Sequence, residues 1–463
     1  MGKKLYERIH ISPEKTQELD ISELYALALT DDEQQYRVVT QQYFSKEKAV
    51  CPTCGGTKTR VSKIVARKLK DILPSDGEHR RVIDLVFDQR YHRCCTCQNR
   101  VFPEDVSFAE PGCRYSNRLS DLLAEGTLTH SYSKVCAYYG VPASKTSVGV
   151  IMRRIFRHRL GKLPPLKTPI TLSVFMVSYF GYYYPVVLNV ADEGVYFIDI
   201  LEESSENAYK AFFSQFEANE VQRIFVDADE QLISASSTTF PQAQIVMTDE
   251  CLLRYIKNAF CEIIDAEGKH SGIPHRFDVL TRRKPYLLAG ESRRVRHALE
   301  TRPRLRAAYN AYHELLPRLD APWTTDTILQ WIEQLSDYLD DEAPAGETLE
   351  PLSEFDIVKT ILELYEPLFE KYQQMESKPS PHYISAVTGI IDEVANMPKC
   401  IYDVLRARMT LTSEPVIETI NDRPYRIGIP VEVLIQDMKA ITERIHKERY
   451  GDGYQSEDSA SWS

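Results

Sequence analysis

No stretch of this 463-residue chain is apolar over the length that a membrane crossing needs. Its first residues, Met-Gly-Lys-Lys-Leu-Tyr-Glu-Arg, are charged and lack the apolar core of a secretory leader. A membrane partner is therefore not expected. Ten cysteines without a secretory signal point to a reducing, cytoplasmic compartment and to no disulfides. No internal repeat is visible, which excludes solenoids and propellers. The chain also lacks net positive charge, being −11 at neutral pH, and that figure alone argues against nucleic acid.

The distribution of charge reverses the last inference. Residues 51–162 hold 20 Lys and Arg against 10 Asp and Glu, so this segment is +10 and the remainder −21. A basic segment joined to an acidic body is the electrostatic footprint of nucleic-acid binding, and double-stranded DNA is the expected partner. At this length the chain is expected to be multidomain, and the motifs divide it so.

Two Cys-x-x-Cys elements lie in the basic segment, Cys51-Pro-Thr-Cys54 and Cys94-Cys-Thr-Cys97. Each tight turn aims two sulfurs at one point, and four thiolates complete a tetrahedral zinc site. Cys51, Cys54, Cys94 and Cys97 are the expected ligands, with His92 and Cys95 close enough to compete. The intervening Arg80–Phe87 alternates as a strand does, so residues 50–110 read as a zinc ribbon. A redox role for the pairs is disfavoured because no βαβ pattern surrounds either. Residues 1–49 read as a polar helical arm.

Residues 111–162 read as a helix-turn-helix. Helices are expected over Arg114–Glu125 and Ser131–Tyr139, then a turn at Gly140-Val-Pro-Ala143. A further helix begins at Ser144, with Val148, Ile151, Met152 and Ile155 at helical spacing. Outside that apolar seam lie Lys145, Arg153, Arg154, Arg157 and Arg159, the candidate phosphate contacts.

A linker spans 163–169, and the pattern then changes. Strand runs at 170–180, 182–190 and 195–201 precede a helix, a strand ending in Asp227, a short helix, a strand and a long helix from Asp249. The order βββαβαβα over 170–264 is that of a ribonuclease-H-like α/β domain, a fold that presents carboxylates from neighbouring strand ends to two divalent metals. Residues 265–412 read as a helical insertion and C-terminal part of this domain, and 413–463 as a C-terminal helix with a polar tail. The fold class is thus multidomain α+β.

Taken together, these modules resemble the ISL-three family of insertion-sequence transposases over roughly residues 50–410. The local echoes are Cys51-Pro-Thr-Cys54-Gly-Gly, Arg90-Tyr-His-Arg-Cys94-Cys-Thr-Cys97, Phe240-Pro-Gln-Ala-Gln-Ile-Val-Met-Thr-Asp249 and Leu405-Arg-Ala-Arg408. The resemblance implies a bacterial, nucleoid-associated protein, a homo-oligomer, and an Asp-Asp-Glu triad holding two magnesium ions for cleavage and strand transfer. Asp227 matches the second acid. The strand that should carry the first reads Thr171-Leu-Ser-Val-Phe-Met-Val-Ser178, and no acid occurs from Lys167 to Ala191. The helix that should carry the third has Tyr383-Ile-Ser-Ala-Val-Thr388. One aspartate cannot offset two divalent cations, so magnesium is not expected to be held. Alone, Asp227 could serve as a helix cap instead. Three functions remain open at this point. The first is a transposase-derived DNA-binding protein with an inactive catalytic domain. The others are an active transposase using a different cluster, such as Asp229, Glu230 and Asp249, and a DNA-binding transcription regulator.

Overall fold

A computed structural model describes residues 39–42, 49–72, 82–97, 101–106, 108–110, 113–179, 182–268, 278–281, 289–319, 323–375, 383–395, 397 and 400–450. Most of the expected N-terminal arm and the polar tail lie outside the described residues. The chain forms two compact units, each discontinuous in sequence. The first comprises 1–163, 393–414 and 436–463, and the second 164–392 and 415–435.

The first unit opens on a sheet. Strand β1 (Val39–Gln42) pairs in parallel with β3 (Val82–Cys94), where a helix is expected from the sequence. The long antiparallel partner of β3 is β2 (Thr59–Ile72), an outer strand, and β4 (Val101–Pro103) also pairs with β3. One end of this ribbon packs Leu69, Leu85, Phe87, Val106, Phe108 and Ala109. The other end packs Cys51, Cys94 and Phe102.

Three helices follow, α1 (Asn117–Thr129), α2 (Tyr132–Tyr138) and α3 (Lys145–Leu160). Ser116 caps α1, accepting from Leu119 N–H at 3.2 Å. Gly140 closes α2 in the left-handed region, φ 64°.

The second unit is built on a seven-stranded sheet. Its first strands are β5 (Thr171–Tyr179), β6 (Tyr182–Ala191) and β7 (Gly194–Ile200). Then come α4 (Glu206–Phe213), β8 (Arg223–Val226), α5 (Glu230–Thr239), β9 (Gln244–Val246) and α6 (Asp249–Gly268). The spatial order β7-β6-β5-β8-β9, with β5, β8 and β9 parallel, is that of a ribonuclease-H-like sheet.

Helices α7 (Asp278–Thr281), α8 (Ala289–Glu300), α9 (Pro303–Leu319), α10 (Thr325–Glu333) and α11 (Leu335–Glu342) follow. Next come α12 (Asp356–Gln373), α13 (Tyr383–Ala395) and α14 (Tyr402–Leu411). The helices α6 and α9 bury Phe260 against Tyr312, with ring centroids 4.6 Å apart.

A hairpin extends the sheet within the stretch read as a C-terminal helix. Strands β10 (Val416–Ile420) and β11 (Arg423–Pro430) turn through Asn421 and Asp422, both at positive φ, and β11 pairs with β7. The last helix is α15 (Val431–Tyr450). No helix among the described residues is long and apolar enough to cross a membrane.

In the first unit, α14 packs on α1 and α3 and supplies Arg408. This buried guanidinium donates to the Thr127 and His130 carbonyls at 3.1 Å, where α1 ends with unsatisfied acceptors. The second arginine of the late Arg-x-Arg element therefore caps α1, while Arg406 lies over the Phe156 ring at 4.2 Å.

Candidate functional site

The four ribbon cysteines converge. Their sulfurs all lie within 4.8 Å of one another, with Cys51–Cys97 at 3.9 Å and Cys54–Cys94 at 3.7 Å. A tetrahedron with metal–sulfur bonds of about 2.3 Å has edges of about 3.8 Å, so this group can hold a metal ion. Among the described residues it is the one cluster of three or more potential metal ligands.

Local backbone shapes each knuckle. Gly55 takes φ 67° and returns its N–H to the Cys51 carbonyl at 2.9 Å, a turn that disfavours any side chain there. The N–H groups of Thr53 and Cys54 draw the Cys51 thiol down to about 6. Those of Cys97 and Thr96 lower Cys94, each donating to its sulfur at 3.3 Å. The competing residues lie elsewhere: Cys95 is exposed, and His92 stacks on Phe102 at 6.0 Å. All ten cysteines are free.

The centre of the sheet in the second unit brings together the three segments that the resemblance marks. Val174 of β5 pairs with Val226 of β8, so the middle of β5 lies beside Asp227. The N–H of Met176 donates to the Asp227 carboxylate at 2.8 Å. From the third segment, the Tyr383 hydroxyl reaches Ser173 Oγ at 3.3 Å. The geometry is thus assembled, but Ser173, Phe175 and Tyr383 line it.

Asp227 is fully buried and is bound by Arg254 of α6, whose guanidinium also donates to the Met176 carbonyl. The Cys251 thiol donates to the other carboxylate oxygen at 3.2 Å, and Ala228 N–H reaches that oxygen at 2.9 Å. Burial pushes this carboxyl upward, but the Arg254 charge and these donors prevail and hold it below its ordinary value. Cys251 is pushed well up by burial and by the neighbouring carboxylate, so it stays a thiol and a donor. Arg254 and Cys251 face one way because they stand three residues apart on α6.

The neighbouring acids are also engaged. Asp229, and not Asp227, caps α5, accepting from Gln231 N–H at 2.9 Å and from the Tyr209 hydroxyl at 2.7 Å. Asp249 accepts from Gln373 at 2.6 Å. Glu230 is exposed.

Glu250 is buried and receives the N–H groups of Ser385 and Ile384 at 2.5 and 3.2 Å, at the start of α13. Burial outweighs those donors and raises it from 4.5 to about 7. Between these limits the folded chain keeps a proton that the unfolded chain has lost, so stability falls as pH rises through the window. Glu250→Gln is expected to remove that fall. Parallel thermal melts across the window check it, and equal slopes in both proteins would contradict the assignment.

The arginines of the helix expected to contact DNA stand beside acids, Arg153 and Arg157 with most of their side chains exposed. Arg153 pairs with Asp403 at 2.8 Å, and Arg154 with Asp121 at 2.8 Å and Glu110 at 3.2 Å. Arg157 meets Glu110 at 3.4 Å, and Arg159 meets Glu125 at 2.5 Å. The side chain of Lys145 lies outside the described ones. Both sides of α3 are covered, by α1 and by α14, whose Asp403 carboxylate would stand 2.9 Å from a Cβ at Gly149.

Residues 180–349, which hold Asp227, Cys251 and Arg254, match the model of the ISL-three DDE family, described as a transposase. No curated protein matches the chain. The sheet order and this match agree, so the central region is similar to an ISL-three family transposase over residues 180–349.

Proposed function

We propose that this chain is a DNA-binding, transposase-derived protein whose ribonuclease-H-like domain no longer cuts or joins DNA. In this reading the cysteine cluster holds zinc as a structural ion, closed to substrate by its four protein ligands. Double-stranded DNA is the partner, gripped by the basic N-terminal segment, and the central domain serves as a scaffold.

One observation carries the loss of catalysis, the Arg254 guanidinium bound to Asp227. Transposases of the DDE class use divalent metals held by clustered carboxylates. Here the sole matching acid is already neutralised by a fixed cation, and a metal entering beside it would meet like charge. The two positions that should add negative charge carry neutral side chains. The residues present do not fit paired magnesium ions.

Strand-transfer assays on DNA ends flanking the gene, with magnesium and then manganese, test the proposal. No cleaved or joined product is expected. Metal-dependent product that disappears in Asp227→Ala would overturn it.

A further inference from the structure

The ribbon carries a cationic face that its own fold leaves unbalanced. On the β2–β3 hairpin Arg60 stands directly opposite Arg93, and Lys63 opposite Tyr91, so all four share one face. The Lys63 ammonium lies 5.0 Å from the Tyr91 ring centroid. Among the described residues none of these three cations has a carboxylate partner, and Arg93 Nε is buried without a hydrogen bond. The contrast with α3 is sharp, since each of its described arginines is matched by an acid.

Like charges directly across a strand pair destabilise it. Among the described residues no acid on this face offsets them. The Cys94 side, where the cysteines and Phe102 pack, is the opposite face of the same strands. The outer edge of β2 is open over its first half, and Arg60, Lys63 and Val65 are exposed there. Directly opposed residues have Cβ atoms about 5 Å apart, so Arg60 and Arg93 set two guanidinium forks side by side, each suited to gripping a phosphate. Lys63 adds a third cation roughly 7 Å further along the strand, given a rise of about 3.3 Å per residue and the bulge at Ser62. A row of this kind tracks a phosphodiester backbone.

We infer that this ribbon face, Arg60, Lys63 and Arg93 with Tyr91 beneath, binds the phosphate backbone of DNA and is the main electrostatic grip of the protein. The inference deepens the proposed DNA-binding reading and rests on it.

The test is fluorescence anisotropy of the full chain with a short labelled duplex of mixed sequence, titrated at several salt concentrations. The triple variant Arg60→Gln, Lys63→Gln, Arg93→Gln is expected to lower the slope of log K against log salt by about 0.9 for each charge removed. Arg60→Lys should keep the slope. Zinc content reports whether the ribbon is folded, and single variants replace the triple if it is not. An unchanged slope in a zinc-replete variant would overturn the inference while leaving the DNA-binding reading intact. A slope that drops only with Arg153→Gln and Arg157→Gln would place the contact on α3 and also overturn it. A wild-type chain that fails to bind the duplex at low salt would end both.

Discussion

Cys51→Ser is expected to take bound zinc from about one ion per chain to near zero and to unfold the proximal half of the ribbon. Hydroxyl oxygen does not replace a thiolate in a four-sulfur site, and the other three sulfurs cannot close the tetrahedron. Little else holds that end. Its apolar cluster consists of Cys51, Cys94 and Phe102, with Ala49 and Cys97 against it, so the ligands are themselves the core. An isolated hairpin is marginal in water, and structural zinc supplies about 10–16 kcal/mol of folding free energy in small zinc modules. The loss should stay local. The far end of β2 packs through Leu69 on Phe87 and Phe108, and its Lys70 backbone bonds Arg114 and Ser116 at 2.9 Å. Hydrogen exchange should therefore rise over 51–65 and 90–97 and remain slow near 69–72. Cys95→Ser is the control, because that thiol points away from the cluster and its loss should leave zinc unchanged. Full zinc in the Cys51 variant, or loss of zinc in the Cys95 variant, would refute the ligand set.

The cysteine site and the sheet were legible in the sequence for a physical reason. Two Cys-x-x-Cys turns impose a local geometry whatever lies between them. The runs at 170–201 are short, apolar and rich in β-branched and aromatic residues, and are broken at Gly181 and Gly194. Elements at the edges were harder to read. The hairpin at 416–430 carries an Asn-Asp turn between alternating residues, a signal present in the sequence but masked by the helical segments on either side. Strand β1 has only four residues and exists through its pairing with β3.

Long-range pairing was the information that periodicity could not give. The seam Val148, Ile151, Met152 and Ile155 is buried as its spacing implies. Yet α3 has a second covered side made by α14, some 250 residues later. Nothing in the spacing of Arg153, Arg154, Arg157 and Arg159 shows that Asp403, Asp121, Glu110 and Glu125 stand beside them. Likewise, Arg254 looks like one more cation on an amphipathic helix beside Lys257. Its contact with Asp227 depends on how α6 is laid against the strand ends.

That contact sets the last prediction. Arg254→Met should destabilise the second unit by about 3–5 kcal/mol at neutral pH, the cost of leaving one member of a buried ion pair without its partner. In the wild type the Asp227 pKa lies below its unfolded value. Its contribution is therefore fully present above the unfolded pKa and is lost as pH falls through the folded one. Without Arg254, burial dominates and the carboxyl takes up a proton. The sign then reverses, and the variant should lose stability as pH rises above the ordinary aspartate range. Adding Asp227→Asn to Arg254→Met should recover a large part of the loss, since removing both charges leaves no uncompensated ion. Urea unfolding of the wild type, both single variants and the double variant closes this cycle at two pH values. A loss below about 1 kcal/mol in Arg254→Met would mean that the guanidinium contributes no more than an exposed surface pair. Stabilisation of the wild-type chain by magnesium would be more damaging still, because a divalent ion cannot share a buried aspartate with a fixed arginine without displacing it.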